Sequence, residues 1–156
     1  MINHQSRAFI LASAVFSADQ LIKCCIRRFP LNSVLFSIPY LFDITHCTNT
    51  GAAFSILRGH TRFLAAASVI VFLLLLVYLL RELHLTSSAK YALGALCGGG
   101  LGNLADRLLY SGVTDYIRLR FIRFPVFNLA DVCITFSVLI LVFELMTGRL
   151  DRHHGE

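Results

Sequence analysis

The sequence predicts an integral membrane protein, mainly α-helical, with four spanning helices. Two observations carry that class. Of 156 residues, 56% are hydrophobic and only 15% are charged, with a mean hydropathy of +0.70; a soluble domain of this length is less apolar and more charged. The apolar residues also gather into four runs, at about 8–26, 63–80, 91–109 and 126–146. Each is close to the roughly 20 residues that cross a bilayer core. Residues 1–156 therefore read as one membrane-embedded domain.

The first run carries Asp19 and Lys23 four residues apart, acid first, the favourable order for a helical ion pair. Its start resembles a signal peptide with Arg7 as the basic flank, and "LIKC" at 21–24 resembles a lipoprotein cleavage site. Lys23 stands where that site wants a small residue, and both charges interrupt the apolar region, so a retained helix is expected. The second run has no charge at all. The third carries Gly94, Gly98 and Gly102, a ladder of small residues that lets a neighbouring backbone approach, with Gly99 and Gly100 widening it. It ends in Asn103, Asp106 and Arg107, where Asp106 and Arg107 suggest a structural ion pair. The fourth follows Pro125, suited to a helix start, and places Asn128, Asp131 and Thr135 on one face.

Between the runs, residues 28–62 are apolar, aromatic and β-branched with turn signals, which predicts short strands at the membrane surface. Residues 110–125 alternate apolar residues with Arg118 and Arg120, predicting a strand or hairpin. With four spans these two loops share one side of the membrane. Counting Lys and Arg conflicts with placing them outside. The loops hold Arg27, Arg28, Arg58, Arg62, Arg118, Arg120 and Arg123, with Arg107 at their edge, whereas the termini and short link hold Arg7, Arg81, Lys90, Arg149 and Arg152.

The formal charge of +5 is scattered between apolar runs, which points to lipid headgroups and helix ends rather than nucleic acid. The five cysteines form no CxxC pair and the six histidines no HExxH, so neither a disulfide framework nor a metal site is expected.

Ionisable groups at membrane depth are costly and by default functional. Asp131 near the start of the fourth run and Asp115 in the short connection before it can fold together. Two carboxyls in contact share a proton. Such a pair can hydrolyse an amide without a covalent intermediate, one member taking a proton from water and the other hydrogen-bonding the scissile carbonyl. Other readings stay open: Asp115 as a strand-end residue, Asp131 as a helix cap or Arg partner, or Asp19, Asp106 and Asp131 as a proton relay in a small transporter. "NLAD" occurs twice, at 103–106 and 128–131, but unmatched flanks argue against a duplicated half. A purely structural assembly protein is a third class, for which Asp115→Asn would be silent.

Five blocks also stand in order: "DQLIK" at 19–23, "NTGAAFS" at 49–55, "GGGLGNLADRL" at 98–108, "VTDYI" at 113–117 and "PVFNLAD" at 125–131. Together they resemble the lipoprotein signal peptidases, or signal peptidase II. The resemblance implies an aspartic endopeptidase of the bacterial inner membrane that cleaves prolipoproteins before a diacylglyceryl-modified cysteine, without cofactor or metal. It implies Asp115 and Asp131 as the catalytic pair. Asn49, Gly99, Asn103, Arg107, Asn128, Ala130, Asp19 and Lys23 fall on its site-forming positions. The amides of Asn49, Asn103 and Asn128 are expected to orient substrate or carboxyls, Arg107 to brace the site, and Asp19 and Lys23 to tie in the first helix. The implied fold is four transmembrane helices with a small periplasmic β-cradle and a short surface helix, and both termini in the cytoplasm. Prolipoprotein and membrane lipids are the implied partners of a monomer. Gly100 and Ala105 depart from the family pattern, away from the implied chemistry.

Overall fold

The computed structural model describes residues 3–51, 59–81 and 85–150. Helix α1 (His4–Ile26) is followed by strands β1 (Val34–Ile38) and β2 (Phe42–Asn49), then α2 (Thr61–Arg81), α3 (Ser87–Tyr110), β3 (Val113–Leu119) and α4 (Leu129–Met146). Asn3 caps α1 by accepting from the Ser6 N–H at 2.7 Å, and Thr86 caps α3 by accepting from Ala89. By length and composition, α1, α2 and α4 can cross a membrane. Their apolar side chains face outwards: Leu74, Phe136 and Leu139 are all exposed.

Helix α3 has 24 residues and occupies the centre, against α1, α2 and α4. Its glycines make that possible. A methyl at Gly94 would collide with the carbonyl oxygen of Ala8, and one at Gly98 with that of Ala12. One at Gly99 would stand 2.8 Å from the carbonyl oxygen of Ala130. Gly100 has open space, so its departure from the family pattern costs no contact.

The three strands form an antiparallel sheet in the order β1-β2-β3. The loop expectations are therefore met by strands in both stretches. One charged row crosses the sheet, with Ser37 opposite Asp43 and Asp43 opposite Arg118. Asp43 accepts from Ser37 at 2.6 Å, Arg118 at 2.6 Å and Arg120 at 3.1 Å. The Ser37 hydroxyl, then the Arg118 guanidinium, hold its carboxyl down at about 2.

Two expectations change. The last helix begins at Leu129, not near residue 126. Phe127 instead pairs with Ile117 as an extra edge of the sheet, and Asn128 is the extended cap. Pro125 thus precedes the helix by a short extended segment. Asp106 is an ion-pair residue, but its partners are Arg27 at 3.1 Å and Lys23 at 3.8 Å on α1 rather than Arg107. A short surface helix has no counterpart among the described residues; residues 52–58 and much of "NTGAAFS" lie outside them.

Candidate active site

A buried charged joint ties α1 to α3 and α4. Asp19, Lys23 and Asp106 are each fully buried, and such groups persist only when paired. Lys23 binds Asp19 at 2.8 Å and donates to Oδ1 of Asn103 at 2.8 Å. The other Asp19 oxygen accepts from the Ala130 N–H at 3.1 Å, at the start of α4, where a helix favours negative charge. Arg27 reaches Asp106 and the Thr114 hydroxyl, both at 3.1 Å, and stacks over the Tyr110 ring. Asp106 also accepts from the Thr114 N–H at 2.8 Å, which pins β3 to α3. Every buried side-chain polar atom among the described residues has a partner.

The two candidate carboxyls stand on this joint. Asp131 completes a capping box: the Asn128 side chain accepts from its N–H at 2.9 Å, and its own Oδ2 accepts from the Asn128 N–H at 3.2 Å. Its Oδ1 accepts from the Asn103 amide at 2.8 Å. Cap and candidate acid, left as alternatives by the sequence, coexist in one side chain. Asp115 lies on β3 opposite Cys47 and is 2% exposed. It accepts from the Asn128 amide at 2.6 Å, and the nearby Asn49 side chain favours its charged form. The Asn49 oxygen accepts from the Gly51 N–H at 2.9 Å. The Asn128 amide also donates to Oδ1 of Asn103 at 3.2 Å, linking the two carboxyls through two amides. Burial, then the charge of Asp131, pushes the Asp115 carboxyl up to about 7.

Asp115 and Asp131 line one cavity of about 440 Å³, together with Asn49, Asn103 and Arg107. Arg107 donates to the Asn103 carbonyl at 3.4 Å and lies in the field of Asp131 and Asp115. The remaining wall is mostly apolar, from Phe124 to Phe127 and along α4 through Val132, Ile134 and Phe136, with Thr135 as its one hydroxyl. One end can hold a polar bond under attack, and the other accepts hydrocarbon.

Of the residues singled out in the sequence, Asn49, Asn103, Arg107, Asp115, Asp131 and Thr135 line the cavity. Asn128 is buried between the carboxyls, while Asp19, Lys23, Gly99 and Ala130 form the support beneath. Three participants were not singled out. Arg27 extends the Asp19–Lys23 face by another four residues, a periodicity visible in the sequence. Gln20 donates to the Gly102 carbonyl at 3.0 Å and to Asp106 at 3.2 Å. The hydroxyl of buried Tyr116 accepts from the Leu129 N–H at 3.0 Å; burial, above all, pushes this phenol up to about 12. No sequence signal marks that contact.

Helices long and apolar enough to cross a membrane, beside a cavity lined by two carboxyls, fit a membrane protein with a polar site. The particular family follows from comparison: the chain belongs to the signal peptidase II family, whose profile, Signal peptidase (SPase) II, matches residues 11–147. It is 40% identical over 144 residues to the lipoprotein signal peptidase of Dehalococcoides mccartyi, covering 90% of this chain and 89% of that one. It is 34% identical to that of Streptococcus thermophilus, covering 90% and 93%. A bacterial membrane enzyme solved by the in meso method at 2.3 Å superposes with a TM-score of 0.84, at 27% identity, covering 96% of this chain and 93% of that one.

Proposed function

We propose that this chain is an aspartic endopeptidase that removes the signal peptide from diacylglyceryl-modified bacterial prolipoproteins, cleaving before the lipid-modified cysteine. The observation that carries the reading is the shared cavity of Asp115 and Asp131, cross-linked through Asn128 and Asn103. Asp131 takes a proton from water, whose oxygen attacks the scissile carbonyl. Asp115, protonated near neutral pH, hydrogen-bonds the carbonyl oxygen as negative charge develops there. Collapse of the tetrahedral intermediate breaks the C–N bond, and the nitrogen leaves with a proton from the pair. The apolar wall along α4 suits a substrate that arrives with its signal helix and acyl chains in the bilayer.

In this reading α3 is the fourth transmembrane helix, despite its polar end, because the other three surround it. The sheet and site lie on the periplasmic face of the inner membrane, both termini are cytoplasmic, and the enzyme acts as a monomer. The conflict in the charge count is reduced by Arg27, Arg118 and Arg120, which are engaged with Asp106 and Asp43. A relay through Asp19 and Asp106 is disfavoured, since both are held by cations.

The test is cleavage of a diacylglyceryl-modified prolipoprotein by purified protein in detergent, read by gel shift. Wild type should cleave, and folded Asp115→Asn and Asp131→Asn should not. A folded but inactive wild type would sink the peptidase reading, and an active Asp115→Asn would sink the pairing.

A further inference from the structure

The tip of the sheet furthest from the site carries an unusual group of side chains. Tyr40, in the β1–β2 turn, is 90% exposed and adopts φ 64°, a left-handed conformation that disfavours bulky residues. A turn under ordinary selection for stability would hold Gly or Asn there. Neighbouring Leu41 and, beyond β3, Phe121 and Ile122 are also exposed. The two loops are joined by the Arg120 N–H donating to the Leu41 carbonyl at 3.0 Å, so the apolar groups form one patch. β3 runs about 20 Å from Val113 to Leu119, at about 3.3 Å per residue, which carries the patch away from Asp115 near the other end of the strand.

The charge around it is one-sided. Arg118, Arg120 and Arg123 are exposed, and Asp43 is the single acid in the row. Direction matters as well. Thr114, Tyr116 and Arg118 alternate onto one face of β3. Thr114 is held by the ends of α1 and α3, and Tyr116 by the start of α4. Beyond the bundle, Arg118 on that face and Arg120 just after the strand share Asp43 and leave a net positive charge beside Arg123. Tyrosine, arginine and scattered large apolar residues are what a headgroup layer accommodates.

We propose that this tip is an interfacial anchor: Tyr40, Leu41, Phe121 and Ile122 enter the headgroup layer, and Arg120 and Arg123 favour anionic lipid phosphates there. The inference goes beyond the peptidase reading and rests only on the spanning helices. Lipid binding offsets the strained turn and holds the sheet against the membrane from its far end.

The chain contains no tryptophan, so Tyr40→Trp installs a unique reporter. The variant would be reconstituted at high dilution into vesicles of phosphatidylcholine with a fraction of phosphatidylglycerol, either lipid carrying brominated acyl chains. The anchor predicts blue-shifted emission, shielding from aqueous iodide and quenching by brominated lipid. Phosphatidylglycerol should quench at least about twofold better at equal mole fraction, since each surface arginine favours anionic lipid several-fold. Adding Arg120→Gln and Arg123→Gln should remove that preference while leaving the quenching. Emission as in water with full iodide access would overturn the proposal. Shielding without lipid quenching would mean a protein partner and overturn it too. Equal quenching by the two lipids would overturn the anionic part.

Discussion

The Lys23 ammonium donates to Oδ1 of Asn103 at 2.8 Å. Lysine has no acceptor, so this contact fixes which way the Asn103 amide points. Its NH2 must face Asp131, where it donates at 2.8 Å. A residue on the first helix thereby orients a hydrogen bond to a carboxyl on the last.

Removing that ammonium should cost both stability and activity. Lys23→Met leaves Asp19 and Asp106 buried with one cation fewer. Breaking a buried pair from one side costs about 3–5 kcal/mol. A large fall in thermal midpoint in detergent is expected. Where the variant stays folded at low temperature, kcat should fall more than KM rises. A wild-type midpoint would contradict the ion-pair account.

Asp115→Asn and Asp131→Asn should each lower cleavage by at least about 100-fold, the lower bound for losing a positioned acid or base. The thermal midpoints should differ. Asp131 accepts from the Asn128 N–H with one oxygen and from the Asn103 amide with the other, and an asparagine cannot do both, so this change should destabilise by about 1 kcal/mol. Asp115 should behave oppositely, because an amide removes a buried carboxyl.

The pH profile follows from Asp115, whose carboxyl is raised to about 7 by burial and by Asp131. If its protonated form assists the carbonyl, kcat/KM should decline as pH rises through about 7, the pair titrating as a unit. A raised carboxyl also stabilises the fold most below its unfolded value near 3.8, and that contribution is lost as pH rises through about 7. The Asn128 hydrogen bond favours the charged form. Asn128→Ala should therefore move the alkaline limb upward. A limb that stays put would remove Asp115 as the acid.

Two adjacent glycines make a controlled pair. Gly99→Ala places a methyl 2.8 Å from the Ala130 carbonyl oxygen and 3.1 Å from Ile134, so α4 must shift and carry Asp131 with it. Gly100→Ala meets nothing within 4 Å and should be stable to within about 0.5 kcal/mol, helped by helix propensity. Activity should fall in the first and persist in the second. Equal activities would mean that the α3–α4 contact does not position the carboxyl.

Much of this protein was legible in its sequence because lipid imposes simple rules. Long apolar runs, charges spaced by four on the first helix and glycines spaced by four on the third each follow from helical periodicity, a property of neighbouring residues. Asp115 and Asp131 were marked as candidates by the order of motifs that resemble the signal peptidase II family, not by periodicity. Partner choice was not local. Asp106 lies beside Arg107 in sequence, yet adjacent residues on a helix do not face each other, and its cations come from α1. The start of α4 was displaced because Phe127 found a strand partner in Ile117 before the helix could begin. Only the tertiary structure decided that Asn128 touches both carboxyls' surroundings, that Asp131 is cap and candidate acid at once, and that Tyr116 holds the helix start. Those contacts join groups from separate elements, and their geometry exists only once α3, β3 and α4 are packed together.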